Sequence, residues 1–356
     1  ALPIYILEGR PGSGGVAMTT RVEDGCIKCG ACQNVCPVLR QEGYRRFPGP
    51  RRLAVEAPRF SRESTSLASP LQMCTSCAMC EAACPSRLPL TEAGMRMRAH
   101  YGATSEGGRR MIDNSRRYGR TIAPASGVRA PAEGSVLFFP GCVGDARTSS
   151  SSQGAVDLLL ASGDRAYVPE RWYCCGSPLE KIGELGEIKR LRDLNAPILD
   201  AAEEVVTACP GCAAQLRKSG VEALHVLEHL YESITPSRLR WRPRMITVAL
   251  HSPCHLARSV GPHTMDYAYQ LLASVPGVRV VDMDDEGCCG GGGGVASALP
   301  ELATRMGRRR TDSAARAGAD MLLAPCPFCV LNLERAGGIE VQELTAFLVA
   351  LSENWR

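Results

Sequence analysis

Short apolar runs alternate with longer amphipathic segments from Ser135 to the end of the chain. Each run is three to five residues long and rich in Val, Leu and Ile, which is typical of a buried strand. The predicted strands are residues 135–139, 166–168, 204–208, 246–250, 278–282 and 321–324. Helices are predicted at about 151–161, at 180–196 with an end at Pro197, at 264–273 and at 298–316, and two more begin near Cys212 and Cys329. This alternation predicts βαβ units, and therefore a parallel sheet with right-handed crossovers.

The six predicted strands form two copies of one unit. Cysteines follow the strands in both copies, and three corresponding pairs lie 112, 114 and 117 residues apart: Cys142 and Cys254, Cys174 and Cys288, Cys209 and Cys326. A nearly constant offset indicates an internal duplication. Because ligands collect outside the carboxyl ends of parallel strands, we expect the cysteines of each copy to converge at one edge of its sheet.

The predicted fold class is α/β, with an α-helical module in front of the duplicated parallel-sheet unit. The expected segments are a lead-in at 1–20, a two-cluster module at 21–95, a linker or strap of low regularity at 96–134, and two repeats at 135–240 and 241–350. The linker is assigned from its content of Arg, Ser, Gly and Pro.

Cysteine is abundant, with 18 among 356 residues. The chain is too long, and its cysteine share too low, for a small disulfide scaffold. No basic segment precedes an apolar signal-like run, and no uncharged apolar stretch approaches the roughly 18 residues of a membrane span. These features predict a cytoplasmic protein in which thiolates bind metals or take part in catalysis.

Charge is unevenly distributed along the chain. The net charge is +4, but residues 1–134 hold 19 Lys and Arg against 11 Asp and Glu. The total is too small for an obligate nucleic-acid binder, so no nucleic-acid partner is expected. A basic N-terminal third suits docking against an acidic subunit or an anionic membrane surface.

Two cysteine runs in the N-terminal module have the spacing of bacterial ferredoxins. They are Cys26-x2-Cys29-x2-Cys32-x3-Cys36-Pro37 and Cys74-x2-Cys77-x2-Cys80-x3-Cys84-Pro85. In two-cluster modules the fourth cysteine of each run ligates the other cluster. We therefore predict one [4Fe-4S] cubane on Cys26, Cys29, Cys32 and Cys84, and another on Cys74, Cys77, Cys80 and Cys36. A zinc ribbon, the alternative, closes with four ligands and has no use for this spacing.

The ten remaining cysteines form two sets of five. The first is Cys142, Cys174, Cys175, Cys209 and Cys212, and the second is Cys254, Cys288, Cys289, Cys326 and Cys329. Adjacent cysteines make a strained disulfide, but they can serve as a ligand pair. Five thiolates exceed the four of a zinc site or a cubane. Either one cysteine of each set is spare, or the cluster is not an ordinary cube.

The motifs FFPGC (138–142), CCGSPL (174–179), TACPGC (207–212), HSPCH (251–255), CCGGGGG (288–294) and APCPFC (324–329) resemble the paired CCG cysteine-rich domains of the heterodisulfide reductase family. The resemblance implies a noncubane [4Fe-4S] cluster on each set of five cysteines, hence four clusters, and a small disulfide substrate cleaved between the two CCG sites. Ser252 stands where relatives commonly carry Asp, so no acid–base role is assigned to it.

The resemblance implies an electron-transferring oxidoreductase with an obligate partner subunit, such as a membrane cytochrome b, a flavoprotein or a hydrogenase. Such a partner would make the protein peripheral to the membrane. One alternative is an electron conduit in a glycolate, glycerol-3-phosphate or succinate dehydrogenase or a hydrogenase complex, passing electrons to or from a quinone or cytochrome. Another is a structural or redox-sensing module with zinc in one CCG site.

A few other residues suggest roles near these cysteines. Gly290 and Gly291 open a run of glycines, up to Gly294, that would let the backbone approach a cluster and donate N–H groups to its sulfur. No Lys-Ser or Lys-Thr follows, as a phosphate loop would require. His255, with an ordinary pKa of about 6.5, could protonate a departing thiolate, and a packing role is the alternative. His251 lies three residues before Cys254.

Two further patterns are assigned ordinary roles. His225 and His229 have an i,i+4 spacing that also serves zinc on a helix face, but no third ligand lies nearby in the sequence. Arg308, Arg309 and Arg310 are expected to form a solvated helix face, with contact to an anionic substrate or partner as the alternative.

Overall fold

The computed structural model describes residues 22, 24–60, 64–125, 127–233, 239–285 and 287–354. The predicted lead-in, residues 1–20, lies outside this part of the chain. The N-terminal helices are α1 (Ala31–Asn34), α2 (Pro37–Glu42), α3 (Gly49–Arg51), α4 (Ala57–Phe60), α5 (Ala68–Met73), α6 (Met79–Ala82), α7 (Leu90–Tyr101) and α8 (Glu106–Tyr118). A π-helical turn, Arg52–Glu56, joins α3 to α4, and a 3₁₀ turn, Thr65–Leu67, precedes α5.

The first repeat contains four strands and six helices. In chain order they are β1 (Val136–Phe138), α9 (Cys142–Ala146), α10 (Ser149–Ala161), β2 (Ala166–Tyr167), α11 (Ser177–Ile182), α12 (Gly186–Leu199), β3 (Glu204–Thr207), α13 (Pro210–Lys218), β4 (Ala223–His225) and α14 (Val226–Ser233).

The second repeat follows the same plan. Its elements are β5 (Ile246–Leu250), a π-helical turn (Leu256–Val260), α15 (His263–Ala273), β6 (Val278–Val281), α16 (Val295–Ala298), α17 (Pro300–Arg316), β7 (Met321–Ala324), α18 (Pro327–Ala336), β8 (Glu340–Glu343) and α19 (Leu344–Leu351).

Each repeat is built on its own parallel sheet, and the two sheets have the same topology. The strand orders are β2-β1-β3-β4 and β6-β5-β7-β8, and every pairing is parallel. In the central pairs Val136 lies opposite Glu204, and Val248 lies opposite Met321. The predicted α/β class and the internal duplication are confirmed.

The sequence pattern misses the fourth strand of each sheet. β4 and β8 are edge strands, and β8 carries two glutamates, so neither has the continuous apolar run of a central strand. The helix predicted at 180–196 is divided into α11 and α12. Gly183, in the left-handed region at φ 87°, ends α11, while Pro197 lies inside α12 instead of terminating it. A Cβ at residue 183 would lie 2.5 Å from the backbone nitrogen of Ala99, so α11 approaches α7 closely at this glycine.

The expectation of low regularity for residues 96–134 is wrong for its first half. The last turns of α7 and all of α8 lie within it. Ser105 caps α8 by accepting a hydrogen bond from the Gly108 N–H, and Gly119 ends the helix in the left-handed conformation. Helix α8 contacts α11, α12 and α16, so it packs against both repeats.

One hydrophobic core joins the two repeats. It contains Val206 and Val156 from the first repeat together with Leu323 and Phe347 from the second. Helix α10 of the first repeat lies directly against α19 of the second. At Gly154 a Cβ would overlap the backbone of Ala346, so the two helices meet at van der Waals contact of their main chains. This shared core fixes the relative position of the two sheets.

We expect Gly154→Val to destabilise the protein by about 3 kcal/mol, the upper end of the cost of overpacking, because backbone cannot move aside as a side chain can. Anaerobic urea unfolding followed by circular dichroism measures the change. Gly186→Ala is the matched control, since Gly186 is exposed at the start of α12. Equal stabilities of the Gly154 variant and the wild type would contradict close packing of α10 on α19.

His229 holds two acidic side chains of the first repeat. Its Nδ1 lies 2.7 Å from Glu204 Oε1, and its Nε2 lies 2.9 Å from Asp164 Oδ2. The ring is buried, which by itself would lower its pKa, but the two carboxylates outweigh burial and raise the pKa of His229 above its usual value. The imidazolium therefore links the start of β3 to the loop before β2.

A raised folded-state pKa makes this contribution depend on pH. It is fully present below the unfolded pKa of about 6.5 and is lost as the pH rises through the raised folded pKa. We expect His229→Gln to cost roughly 1–2 kcal/mol at pH 6, as for hydrogen bonds to charged groups, and less at pH 9. Thermal unfolding of both proteins at the two pH values measures this. A cost that is equal at both pH values would contradict a charged His229.

Candidate functional site

The two cysteine runs of the N-terminal module form loops of the same backbone shape. In each run the residue before and the residue after the second cysteine have positive φ: Lys28 (58°) and Gly30 (82°) in the first run, Ser76 (53°) and Ala78 (59°) in the second. Three of these four are not glycine, and left-handed conformations of this kind cost free energy. The loops hold them because they point three cysteines of each run at one centre.

Two pockets in this module each bring four cysteines together. One, of about 350 Å³, is lined by Cys26, Cys29, Cys32 and Cys84, and we call it the outer site. The other, of about 570 Å³, is lined by Cys36, Cys74, Cys77 and Cys80, and we call it the inner site. The fourth cysteine of each run thus lies with the first three of the other run, as the spacing predicts.

The thiols of these pockets resist ionisation by themselves. Burial, and then the neighbouring Cys26, Cys29 and Cys84, raise the pKa of Cys32. Burial raises the pKa of Cys36 to about 12. Four adjacent thiolates therefore need a cationic group among them, and a bound metal centre supplies that charge.

In the first repeat the cysteines lie at the carboxyl ends of β1, β2 and β3. Cys142 opens α9, Cys174 and Cys175 precede α11, and Cys209 and Cys212 begin α13. Cys175 Sγ is 3.4 Å from Cys212 Sγ, and the Gly176 N–H donates to Cys174 Sγ at 3.4 Å.

These sulfurs form a connected set. Hydrogen bonds from the Cys174 and Cys212 thiols lower the pKa of Cys175 to about 5. The same contact raises the pKa of Cys212, because its proton is shared with Cys175 and Cys209.

The second repeat reproduces this arrangement. Cys289 Sγ is 3.3 Å from Cys329 Sγ, and hydrogen bonds from Cys288 and Cys329 lower the pKa of Cys289. Backbone N–H groups of Gly290 and Gly291 donate to Cys288 Sγ at 3.3 Å and to Cys289 Sγ at 3.5 Å. These are the contacts expected of the glycine run.

His251 distinguishes the second set from the first. Its ring, with Cys289 Sγ and Cys329 Sγ, forms a buried group whose atoms lie within 4.8 Å of one another. Burial lowers the pKa of His251, and neither ring nitrogen has a geometric hydrogen bond among the described residues. Phe139 stands at the corresponding position of the first repeat, 112 residues earlier.

One cavity, of about 920 Å³, lies between the two repeats. Nine of the ten repeat cysteines line it: Cys142, Cys174, Cys175, Cys209, Cys212, Cys254, Cys289, Cys326 and Cys329. Met111 and Phe328 add apolar walls, and no Asp or Glu of the described residues lines the space. The two sets of sulfurs therefore share one chamber. This follows from the shared core, which turns the carboxyl ends of the two sheets toward each other.

Two basic groups border this chamber. Lys181, on α11, is part of the lining. His255 Nδ1 lies 3.5 Å from Cys254 Sγ. Burial, and then the nearby charge of Lys181, lower the pKa of His255 well below its usual value. The ordinary pKa expected from the sequence is therefore not found, and His255 is neutral at pH 7.

The inner site touches the cysteines of the second repeat. Cys77 of the inner site and Cys288 are hydrogen-bonding neighbours, and both belong to one buried cluster with Cys36 and Cys254. The glycine run passes between them: a Cβ at residue 292 would lie 2.8 Å from the Thr75 carbonyl oxygen, and one at residue 293 would overlap Cys74. These glycines therefore also allow the N-terminal module to lie against the second repeat.

The other singled-out residues lie elsewhere or play other roles. His225 ends β4 and contacts the Ala208 carbonyl oxygen at 3.1 Å, so it shares no helix face with His229. Arg308 and Arg309 are exposed and pair with Asp312 and Asp285, as expected of a solvated face. Arg310 is buried, which corrects the expectation for that residue.

Arg98 and Lys181 are the functional residues that sequence reasoning missed. Arg98 lines the inner site and Lys181 lines the chamber. No spacing marks either residue, because each reaches its site from a helix in a different part of the chain. For Lys181 the one available signal was its position on the helix that follows the Cys174–Cys175 pair.

The donor set of these sites suits iron–sulfur clusters. All 18 cysteines lie within the described residues and none forms a disulfide. No carboxylate lines the inner site, the outer site or the chamber. Soft thiolates with backbone N–H donors and no hard oxygen ligands favour iron–sulfur clusters over magnesium or calcium.

Comparisons with known proteins agree with this donor set. Residues 136–217 and 248–334 match a cysteine-rich domain family, CCG, and residues 23–88 match a 4Fe-4S dicluster domain family. The chain is 29% identical to the iron–sulfur relative named as a subunit of fumarate reductase (CoM/CoB) in Methanothermobacter marburgensis, over 91% of this chain and 71% of that protein.

Two further relatives have the same extent. An uncharacterised iron–sulfur protein of Methanocaldococcus jannaschii is 30% identical over 87% of this chain and 67% of that protein. A subunit of the dihydromethanophenazine:CoB–CoM heterodisulfide reductase of Methanosarcina barkeri is 27% identical over 87% of this chain and 88% of that protein.

Among the described residues, no helix has the length and apolarity needed to cross a membrane. The matched domains, their order and the cysteines they contain make this an iron–sulfur protein of electron transfer. The chain belongs to the heterodisulfide reductase family, among the members in which a 4Fe-4S dicluster domain precedes two CCG cysteine-rich domains.

Proposed function

We propose that this protein reduces a small disulfide in the chamber between its two CCG repeats. Electrons would reach the chamber through the dicluster module from a partner subunit. The observation that carries this proposal is the chamber itself, where sulfurs of both repeats face one space of about 920 Å³. A substrate with two linked sulfur atoms fits a site with two facing sulfur-rich walls.

The proposed ligand sets follow the neighbours that the fold creates. The outer and inner sites would each hold a cubane [4Fe-4S] cluster on their four cysteines. Each repeat would hold a noncubane cluster on its five cysteines. When bound, the clusters supply single electrons and, in the chamber, iron able to bind sulfur.

The positions of the sites support one direction of electron arrival. Cys29 is the exposed cysteine of the chain, and its neighbour Ile27 is 67% exposed. A partner docking there would contact the outer site. The inner site lies behind it, and Cys77 adjoins Cys288 of the second repeat. Electrons would therefore pass from the outer site to the inner site and then to the second repeat.

The reaction in the chamber requires two electrons and two protons. The S–S bond of R–S–S–R′ breaks, both sulfurs are reduced, and each takes one proton to give RSH and R′SH. The chain contributes Lys181, whose charge stabilises developing thiolate. His255, neutral and beside Cys254, can hold or pass a proton at its ring nitrogen. Backbone N–H groups of Gly290 and Gly291 stabilise negative charge on sulfur.

The chamber also distinguishes this function from that of an electron conduit. A conduit needs closely spaced clusters but no space for a substrate. The relatives' names favour the same conclusion, since one of them is part of a heterodisulfide reductase.

Iron content tests the ligand sets. We expect about 16 iron atoms per chain in the anaerobically purified complex, from four four-iron clusters. Cys212→Ser and Cys329→Ser should each lose about four, because each removes a buried ligand. Met245→Ser, which alters a sulfur-bearing side chain that is 90% exposed, is the matched control and should lose none. Eight iron atoms with bound zinc would contradict the assignment of the repeats.

Turnover and spectroscopy test the reaction. With reduced viologen, the complex should reduce a heterodisulfide. Thiol or disulfide added to the oxidised protein should produce a new paramagnetic signal, because substrate sulfur would reach the iron of the chamber. Cys329→Ser should abolish this signal and Cys29→Ser should keep it, since Cys29 lies in the outer site. Absence of the signal from the fully loaded wild type would favour a conduit.

A further inference from the structure

Arg98 is a buried arginine that joins three parts of the molecule. It lies on α7 and is 1% exposed. Its Nε and Nη2 donate to the Leu71 carbonyl at 2.8 and 2.5 Å, and its Nη1 donates to the Gly293 carbonyl at 2.8 Å. It also donates to the carbonyls of Cys74 and Lys181. One guanidinium thus connects the dicluster module, the first repeat and the second repeat.

The charge of Arg98 has no acidic partner. Each of its hydrogen bonds goes to a backbone carbonyl, and no carboxylate of the described residues forms an ion pair with it. Burying a cation in this way is costly unless an anion compensates it. Arg98 lines the inner site together with Cys36, Cys74, Cys77 and Cys80. Four thiolates there would be the compensating negative charge.

We propose that Arg98 sets the reduction potential of the cluster in the inner site, acting as a positioning residue and not as a ligand. This inference rests on the proposed ligand set of that site. Reduction adds a negative charge beside the guanidinium, so the cation stabilises the reduced state more than the oxidised state. In a buried site this interaction is only weakly screened, and the potential becomes more positive.

The outer site has no equivalent of this charge. Arg51, which lines it, is about one-third exposed and pairs with Glu56 at 2.8 Å. Lys28 is exposed, so solvent and salt screen its charge. The cluster nearer the second repeat would therefore have the more positive potential of the two. An electron that arrives at the outer site would move inward with a favourable driving force.

Arg98→Met removes the charge and keeps a side chain of similar length, whereas Arg98→Lys keeps the charge and loses the planar fork. Arg258→Met is the matched control. Arg258 also donates to this loop, at 2.7 Å to the Cys77 carbonyl, but it is an exposed residue. Anaerobic redox titration followed by electron paramagnetic resonance gives the potential of each cluster, and the outer cluster is an internal reference.

We expect Arg98→Met to shift the inner cluster to a more negative potential and to leave the outer cluster unchanged. Arg98→Lys should retain most of the wild-type potential, and Arg258→Met should cause a smaller shift than Arg98→Met. An unchanged inner potential in Arg98→Met would overturn the proposal. So would equal shifts in Arg98→Met and Arg98→Lys, because they would show that the hydrogen bonds matter and the charge does not.

Loss of the inner cluster is also an informative outcome. If Arg98→Met loses about four iron atoms, Arg98→Lys decides the question. Full iron and a near wild-type potential in Arg98→Lys would support the charge, and loss of iron there too would overturn it. Failure of the proposed function has a different signature, since it would show as missing clusters in the wild type.

Discussion

The burial of many thiols in small spaces is the constraint on which the rest of this structure depends. A buried thiolate is unfavourable beside another thiolate, as the raised pKa values of Cys32 and Cys36 illustrate. The chain meets this constraint by placing the cysteines at loop and helix starts, where backbone N–H groups point toward sulfur. It adds cations, Arg98 in the inner site and Lys181 in the chamber, and admits no carboxylate to the lining of these sites.

The geometry that brings the sulfurs together depends on glycine at the points of closest approach. Gly154 lets α10 contact α19, and this contact turns the two sheets toward a common chamber. Gly293 lets the dicluster module lie against the second repeat, and Gly183 lets α11 approach α7. The shape of the chamber and the contact between Cys77 and Cys288 are therefore two results of the same kind of close packing.

Duplication has given two repeats that share a fold but have different surroundings. The second repeat adjoins the inner site and has His251 beside its sulfurs, whereas the first has Phe139 at that position. Cys174 in the first repeat faces Thr121 at 3.8 Å, while its counterpart Cys288 faces Cys77. In the proposed function, electrons reach the second repeat first, and the chamber connects it to the first repeat.

The sequence by itself determined the central strands, the duplication and the two sets of ferredoxin-type cysteines, because each rests on local spacing or on apolar runs. It did not reveal the edge strands β4 and β8, whose stability comes from pairing with a neighbour. It placed His255 beside Cys254 but not in the buried surroundings that lower its pKa. Only the tertiary structure decided which repeat meets the inner site, that both sulfur sets share one chamber, and that Arg98 lies between them. These facts depend on contacts between residues far apart in the chain, such as Arg98 with Gly293, and no local pattern specifies such contacts.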